Sequence, residues 1–220
     1  MISVIIPTLN EEQYLPNLLK DLKNQKLEVI VVDGNSKDNT VKIAKKFKAK
    51  IIITKKRNGS YQRNLGAKKA KGDQLLFIDA DMRIPKGTIK KLKSTNAIAA
   101  LPFITLKQKT WPYRICVEPA NLFARLFPGM FARGGCILVN KKAFLKAGGF
   151  NPKMAVAEDI DLGQRLRKLG KIKMAPCKVF ESDRRYRKYG YLKVLLDWWL
   201  NAFWCTLFGK SFYTHWNPVR

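Results

Sequence analysis

The sequence contains few acidic residues and a single histidine. Its 220 residues include 16 Asp and Glu against 43 Lys and Arg, which gives a formal net charge of +27. The one histidine, His215, cannot supply a metal site with several histidine ligands, and no Gly-x-Ser-x-Gly segment marks a serine nucleophile. The excess of positive charge predicts an anionic partner: nucleic acid, an acidic membrane surface or a phosphorylated small molecule.

Cysteine is also scarce, and the glycine motifs of dinucleotide-binding folds are missing. The four cysteines form no Cys-x-x-Cys pair, so their spacing predicts neither a zinc site nor a disulfide framework. No Gly-x-Gly-x-x-Gly follows a predicted strand, which disfavours a dinucleotide-dependent oxidoreductase. The start of the chain lacks the pattern of a secretory signal. Together with the cysteine usage, this predicts a cytoplasmic location.

The first eighty residues alternate short β-branched apolar runs with segments of helical period. The apolar runs occupy residues 2–6, 29–32, 51–53 and 75–78. Between the first two runs, leucines recur at intervals of three and four residues from Leu15 to Leu22. This alternation is typical of a parallel sheet that helices cover on both faces. The sequence therefore predicts an α/β fold.

Beyond residue 80 the pattern is mixed but still that of an α/β domain. A helix is predicted over residues 85–92, followed by an apolar run at 97–104, an aromatic-rich segment at 113–131 and an apolar run at 134–139. An amphipathic helix is predicted to begin near Asp159 and to end at Gly170. We therefore expect one α/β domain over residues 1–185.

The remaining residues, 186–220, form an aromatic tail. Residues 192–208 are largely apolar but include Asp197 and Asn201, and about 17 residues are at the short limit for a membrane span. Trp198, Trp199, Phe203 and Trp204 stand there beside Lys188, Lys193 and Lys210, which favours an amphipathic helix lying in a membrane interface. The alternative is that these aromatic side chains cap the core of the domain.

Carboxylates follow two of the predicted strands. Asp33 comes after the run at 29–32, and Asp79 and Asp81 come after the run at 75–78. In an open α/β sheet the ligand crevice lies at the carboxyl ends of the strands, so these residues mark a candidate site. Carboxylates held close together repel, and a divalent cation that bridges them to a substrate diphosphate relieves that repulsion. The alternative for Asp-x-Asp is a turn or a helix cap.

A second acidic group stands at residues 158–161. Glu158, Asp159 and Asp161 lie at the start of the predicted helix, where negative charge is favourable. We expect that role for Asp161, and it does not exclude catalysis by Asp159.

Four strings in the sequence resemble the family 2 glycosyltransferases with the GT-A fold. They are VIIPTLNE at 4–11, VVDGNSKDNT at 31–40, FIDAD at 77–81 and EDIDL at 158–162, and the resemblance covers residues 1–185 in order. It implies a GT-A-type open, mainly parallel sheet with helices on both faces. It also implies an inverting transfer of a sugar from a UDP- or GDP-sugar, with a divalent cation, Mg²⁺ or Mn²⁺, on the diphosphate.

The resemblance also implies roles for particular residues. The nucleoside pocket would be lined by Pro7, Thr8, Leu9 and Glu11, and Asp33 would hydrogen-bond the base. Arg63, which with Asn64 matches an Arg-Asn-x-Gly segment of the family, would contact the nucleotide or its phosphates, with a place on a solvated basic helix face as the alternative. Asp79 would hold the ribose or the metal, Asp81 would hold the metal, and Asp159 would be the general base.

The sequence departs from the family pattern in two places. Arg83 stands two residues after Asp81, where some relatives have a further metal ligand. The Gln-x-x-Arg-Trp motif of processive members is absent, and the nearest string is SDRRY at 182–186, so we predict single transfer. Arg184 and Arg185 are then expected to hold an anionic acceptor or the leaving diphosphate, with a salt-bridging role as the alternative.

Three functions remain open at this point. A glycosyltransferase would use its basic surface on an anionic membrane and act on a lipid-linked acceptor. A nucleic-acid-binding protein would use the stretch 42–71, which holds twelve basic residues and no acid, but no recognition motif accompanies it. A nucleotidyltransferase would place the metal on a nucleoside triphosphate.

Overall fold

A computed structural model describes residues 1–106, 111–128 and 135–213 of the chain. Within these residues there are seven strands and nine helices. The strands are β1 (Ile2–Thr8), β2 (Leu27–Asp33), β3 (Lys50–Ile53), β4 (Gln74–Ile78), β5 (Ala99–Leu106), β6 (Cys136–Asn140) and β7 (Ile172–Glu181). The helices are α1 (Leu15–Leu22), α2 (Thr40–Lys46), α3 (Gly59–Lys69), α4 (Thr88–Lys93), α5 (Trp111–Leu126), α6 (Lys141–Lys146), α7 (Glu158–Arg167), α8 (Arg184–Tyr189) and α9 (Tyr191–Phe208). His215 and the ends of the predicted segments at 113–131 and 134–139 fall outside the described residues.

The strands form one sheet in the order β3-β2-β1-β4-β6-β5-β7. Strand β1 pairs in parallel with β2 and β4, and β2 pairs in parallel with β3. Strand β6 runs antiparallel to both of its neighbours, whereas β7 is parallel to β5. The predicted open, mainly parallel sheet is therefore confirmed.

Helices bury both faces of the sheet, which explains the unbroken apolar runs of the central strands. Alternate residues of β1 point to opposite faces: Val4 and Ile6 join a cluster with the leucines of α1, whereas Ile5 joins a second cluster. In the second cluster Phe77 contacts Phe144 and Phe150, with ring centroids 4.9 and 5.0 Å away. The core thus lies on both sides of β1 and β4.

Some elements differ from the predicted ones for identifiable reasons. Strand β7 was not predicted because it lies at the edge of the sheet and exposes Lys173, Pro176 and Lys178, which interrupt its apolar residues. The first helix begins at Leu15, after a turn over residues 12–14. Helix α7 begins at Glu158 and ends at Arg167, three residues before the predicted stop.

The C-terminal helices lie against the α/β core. The predicted domain boundary after residue 185 falls inside α8, and Tyr186 of that helix is buried beside Tyr113 of α5. Farther along, Cys205 of α9 packs with Met154 and Ile160. Among the described residues, no helix combines the length and apolar character that crossing a membrane would require.

Helix α3 approaches the sheet closely at Gly66. A Cβ atom on this residue would lie 2.5 Å from Cγ2 of Ile5 and 3.0 Å from Cγ2 of Val32. Both of these side chains are fully buried in the second cluster, so neither can move aside without disturbing the core. The absence of a side chain at Gly66 therefore sets the distance between α3 and strands β1 and β2.

We predict that Gly66→Ala destabilises the fold by about 1–2 kcal/mol, because the cost of overpacking exceeds the gain in helix propensity. The measurement is urea unfolding, read as a lower midpoint at unchanged slope. The matched control is Lys68→Ala on the exposed side of the same helix, which should stay within about 0.5 kcal/mol of the parent. Equal stability of the two variants would contradict the close approach.

Candidate active site

A cavity of about 760 Å³ opens where β1 and β4 end. Ten of the eleven residues predicted from the sequence to form the site line this cavity. They are Pro7, Thr8, Leu9, Glu11, Arg63, Asp79, Asp81, Asp159, Arg184 and Arg185. These residues come from the whole length of the chain, and the fold brings them together because the carboxyl ends of neighbouring parallel strands lie at one edge of the sheet.

Asp33 is the predicted site residue that does not line the cavity. It is fully buried at the end of β2, and its carboxylate accepts hydrogen bonds from Thr8 Oγ1 at 2.9 Å and from Ser36 N at 2.8 Å. Ser36 Oγ donates a further hydrogen bond at 2.6 Å. Asp33 therefore fixes the loop after β2 against the end of β1, and its contact with the base stays a prediction.

Arg63 links two of the acidic segments. Its Nη2 lies 2.6 Å from Asp79 Oδ1 and its Nη1 lies 3.1 Å from Glu158 Oε1. The side chain is only 7% exposed and its guanidinium lies over the ring of Phe150. Burial opposes the charge of Arg63, but the two carboxylates outweigh it and raise the pKa of the guanidinium above its ordinary value. Arg63 is thus a permanent positive charge inside the cavity wall.

Arg184 links the C-terminal helices to the ends of the strands. It forms a bidentate pair with Glu11, at 3.0 Å for both contacts, and its Nε lies 2.9 Å from Asp81 Oδ2. The guanidinium also lies over the ring of Tyr14. Beside it, burial lowers the pKa of Arg185, and the charge of Arg184 acts in the same direction against Tyr189, Asp81 and Asp197.

Carboxylates are crowded around Asp81. Burial raises the pKa of Asp81 to about 7, and the nearby charges of Asp79, Glu11 and Glu181 act in the same direction against Arg184. All four carboxylates line the cavity. This surplus of negative charge fits a hard divalent cation, which takes oxygen ligands.

The protein offers such a cation only part of a coordination shell. In the part of the chain that the structure describes, no cluster of three or more His, Cys, Asp or Glu side chains is arranged to hold a metal ion. Asp79 and Asp81 can supply two carboxylates, which matches the way Mg²⁺ is held by one or two carboxylates together with substrate phosphates. A cation here would therefore depend on the diphosphate of a bound substrate.

Arg83 does not take part in this site. Its guanidinium forms a bidentate pair with Asp21 of α1, at 2.6 and 2.7 Å, and the residue is not among those lining the cavity. Its backbone pairs with Phe180 of β7. The residue that replaces a possible metal ligand thus serves to attach α1 to the sheet.

Asp159 lies in the first turn of α7. The turn begins after Ala157, whose left-handed conformation (φ 60°) directs the chain into the cavity wall. Asp159 Oδ1 accepts a hydrogen bond from Ile160 N at 2.8 Å. Burial raises the pKa of Asp159, and the neighbouring charge of Glu158 raises it further. Asp161 instead pairs with Arg165 and points away from the cavity, as expected for a helix N-terminus.

Two polar residues of α3 position the site without having been predicted to do so. Gln62 Nε2 donates to the carbonyl oxygens of Thr8 and Val32, both at 2.8 Å, and so holds the ends of β1 and β2 together. Asn64 Oδ1 accepts a hydrogen bond from Phe150 N at 2.9 Å, and Asn64 Nδ2 donates one to Phe150 O at 2.7 Å. It therefore attaches the loop before α7 to α3.

Helix α9 forms one wall of the cavity. Its lining side chains include Leu195, Trp198, Trp199 and Ala202. Their spacing of three and four residues places them on one face of the helix. In the sequence, this spacing was the pattern from which a shared apolar surface could have been predicted. The cavity therefore has a charged side at the ends of the strands and an apolar, aromatic side at α9.

Comparison with known proteins identifies a matching family. The model of glycosyl transferase family 2 matches residues 3–146, well over half of the chain. One relative is a 4,4'-diaponeurosporenoate glycosyltransferase from Staphylococcus haemolyticus, 45% identical over a stretch that covers 57% of this chain and 36% of the relative. The chain thus spans about a third of the length of that relative.

Solved structures show the same fold at low sequence identity. The TarS fragment 1–349 from Staphylococcus aureus in complex with UDP-GlcNAc has a TM-score of 0.66 at 21% identity, covering 91% of this chain and 66% of that chain. A mannosyltransferase from Pyrobaculum calidifontis in complex with GDP-Man and Mn²⁺ has a TM-score of 0.70 at 18% identity, covering 96% and 64%. The predicted GT-A fold is confirmed.

We predict that Arg63→Met destabilises the protein by about 3 kcal/mol at neutral pH, because the carboxylates of Asp79 and Glu158 lose their shared counter-charge in a buried position. The control is Arg83→Met, which breaks the half-exposed pair with Asp21 and should cost about 1 kcal/mol or less. Urea unfolding of both variants measures the difference. Equal losses would show that the position of Arg63 carries no special electrostatic role.

Proposed function

The chain belongs to glycosyl transferase family 2, and from this we propose that it transfers a sugar from a UDP- or GDP-sugar to an acceptor, one sugar per cycle and with inversion at the anomeric carbon. The observation that carries the proposal is the cavity itself. It joins the predicted nucleoside residues at and just beyond the end of β1, the Asp79–Asp81 pair after β4 and Asp159 on α7.

The donor half of the proposed site lies at the ends of the strands. The nucleoside would lie against Pro7, Thr8 and Leu9, and the diphosphate would lie beside Asp79 and Asp81. These two carboxylates would hold Mg²⁺ or Mn²⁺, which would neutralise the charge of the diphosphate as it leaves.

Two arginines lie in the same cavity as the Asp79–Asp81 pair and could bind the leaving diphosphate. Arg184 lies between Glu11 and Asp81, and Arg185 lines the same cavity. A guanidinium binds phosphate oxygens with two parallel hydrogen bonds, which gives both charge and orientation. We assign these residues to the diphosphate, with an anionic group on the acceptor as the second ligand that Arg185 could bind.

The proton-transfer step is assigned to Asp159. Its carboxylate would take the proton of an acceptor hydroxyl or phosphate while the acceptor oxygen forms a bond to the anomeric carbon. The bond from that carbon to the diphosphate breaks on the opposite face, and the nucleoside diphosphate leaves with the bonding electrons. Because burial and Glu158 raise the pKa of Asp159, that pKa is closer to neutral pH than the pKa of an ordinary aspartate, and its carboxylate is a stronger base.

The acceptor is assigned to the apolar side of the cavity. Trp198, Trp199 and Leu195 of α9 would contact an apolar portion of the acceptor, which supports a lipid-linked substrate. Single transfer is supported by the string at 182–186, which lacks the Gln and Trp of processive members. A nucleotidyltransferase would release pyrophosphate and a glycosyltransferase releases a nucleoside diphosphate, so product analysis separates the two.

We predict that a matching nucleotide sugar raises the melting temperature by about 5–10 °C when present at about 100 times its dissociation constant. The measurement is a thermal-shift panel of UDP- and GDP-sugars with and without Mg²⁺ or Mn²⁺. Asp81→Asn should abolish the metal-dependent part of the shift without lowering the stability of the unliganded protein, because a neutral side chain suits this crowded site. Asp159→Asn should keep the donor shift and stop transfer.

The control for this panel is Asp73→Asn, which changes an exposed acid outside the cavity and should behave as the parent. A donor shift in the parent that is unchanged in Asp81→Asn would refute the metal assignment. Full turnover by Asp159→Asn would refute the base assignment.

We predict that the pH profile of kcat/KM has an acid limb, and that the pKa of this limb lies above the ordinary pKa range of an aspartate. Activity should rise with pH as Asp159 loses its proton, because only the carboxylate can accept the proton of the acceptor. Glu158→Gln should move the limb to lower pH, since it removes a negative charge that raises the pKa of Asp159. Asp161→Asn is the control: Asp161 pairs with Arg165, and the limb should stay in place. A limb that does not move in Glu158→Gln contradicts the assignment.

A further inference from the structure

Helices α5 and α9 carry stripes of exposed apolar side chains. On α9 the stripe repeats at intervals of three or four residues along the whole helix, whereas on α5 it is interrupted between Ile115 and Leu122, where Glu118 and Pro119 are exposed. We call the two stripes together the α5–α9 face. It consists of Trp111, Ile115, Leu122 and Leu126 on α5 and of Leu192, Leu196, Leu200, Phe203 and Leu207 on α9, all of which are exposed.

The two stripes lie on adjoining surfaces of the molecule. Phe123 of α5 meets Trp199 of α9 edge to face, with ring centroids 5.2 Å apart. The opposite side of α9, with Val194, Ala202 and Cys205, is already buried in the protein. Helix α9 is therefore apolar on two sides, of which the fold uses one. Scattered exposed apolar residues are common in proteins, but a stripe of this length marks an interaction surface.

Basic side chains surround this face. Lys188 and Lys210 are exposed just before and just after α9, and Arg114 and Arg125 are exposed on α5. The acid within α9, Asp197, is only 18% exposed, and it is held by Lys193 and by the hydroxyl of Tyr213. On α5 one acid, Glu118, is exposed between Ile115 and Leu122. The basic side chains named here outnumber these two acids, so the surroundings of the α5–α9 face present a net positive charge to whatever covers it.

We propose that the α5–α9 face docks on an anionic lipid bilayer, with α9 lying in the plane of the interface. Apolar side chains that enter the acyl boundary, with lysines at the level of the headgroups, are the two signals of interfacial binding. Lying in the plane agrees with the finding that no described helix could span a membrane. Charge decides against a second copy of the chain: two surfaces of chains that each carry +27 repel, whereas an anionic bilayer attracts them.

Docking in this way would place the cavity beside the bilayer. The helix whose exposed side would enter the interface also lines the cavity with Trp198 and Trp199. An acceptor anchored in the bilayer would then reach Asp159 along α9. This consequence rests on the proposed function, whereas the docking itself does not.

The test is flotation of the full chain with lipid vesicles. We expect binding to vesicles with about one third phosphatidylglycerol at about 0.1 M salt, and weaker binding to phosphatidylcholine alone or at about 0.5 M salt. The double variant Leu196→Ser/Phe203→Ser should bind at least about tenfold more weakly. Its matched control is Ile53→Ser/Leu145→Ser, which removes two equally exposed apolar side chains elsewhere on the protein and should bind as the parent does.

A second pair of variants separates a specific face from general basicity. Lys188→Glu/Lys210→Glu and Lys45→Glu/Lys46→Glu change the net charge equally, but only the first pair flanks the α5–α9 face. The first should lose at least about tenfold in vesicle binding and the second much less. Circular dichroism melting of each variant checks that it is folded.

Three results would overturn the proposal. They are equal losses in the two charge-reversal variants, undiminished binding by Leu196→Ser/Phe203→Ser, and a parent protein that stays off anionic vesicles. In the last case, a dimer in sedimentation that Leu196→Ser/Phe203→Ser dissociates would assign the face to a second copy. Vesicle binding is measured without a sugar donor and without turnover. A protein that fails to bind vesicles can therefore still be tested for transferase activity, and the two proposals fail independently.

Discussion

The candidate site depends on two arginines, the buried Arg63 and the partly buried Arg184, that compensate the charge of several carboxylates. Arg63 joins Asp79 to Glu158, and Arg184 joins Glu11 to Asp81. Four carboxylates in one partly desolvated cavity could not stay ionised together without positive charge among them. Each arginine also ties together distant segments, so the same contacts that balance charge hold the strand ends, α7 and α8 around one space.

The negative charge is not fully compensated around Asp81. Burial and the acidic neighbours raise the pKa of Asp81 although Arg184 lies beside it. A site in this condition gains from any further cation, which supports the proposal of a donor diphosphate that brings a divalent ion with it. On the other side of the cavity the wall is apolar because α9 supplies it. The site thus combines a charged half at the strand ends with an aromatic half at α9, and the exposed side of α9 connects the aromatic half to the molecular surface.

The local pattern of apolar residues was sufficient to predict most of the α/β core from the sequence. The runs that became β1, β2 and β4 supply buried side chains to both faces of the sheet, and such strands read as unbroken apolar segments. The edge strand β3 was also recognised, because its three isoleucines form a short β-branched run. Strand β7 escaped prediction because an edge strand carries lysines and a proline. Gln62 and Asn64 escaped because their partners are backbone atoms 30 to 86 residues away in the chain, and no spacing reveals such contacts.

The sequence by itself determined the fold class and the position of the acids at the strand ends. Buried strands are runs of apolar residues, and a change to polar residues marks where each strand ends, so both can be recognised from neighbouring residues. The sequence also supplied ten residues that line the cavity. Only the tertiary structure decided that Asp33 serves the loop after β2, that Arg83 attaches α1, and that α9 is a wall of the site. The physical reason is that a side chain's role follows from the charges and surfaces the folded chain brings to it, and those neighbours are remote in sequence.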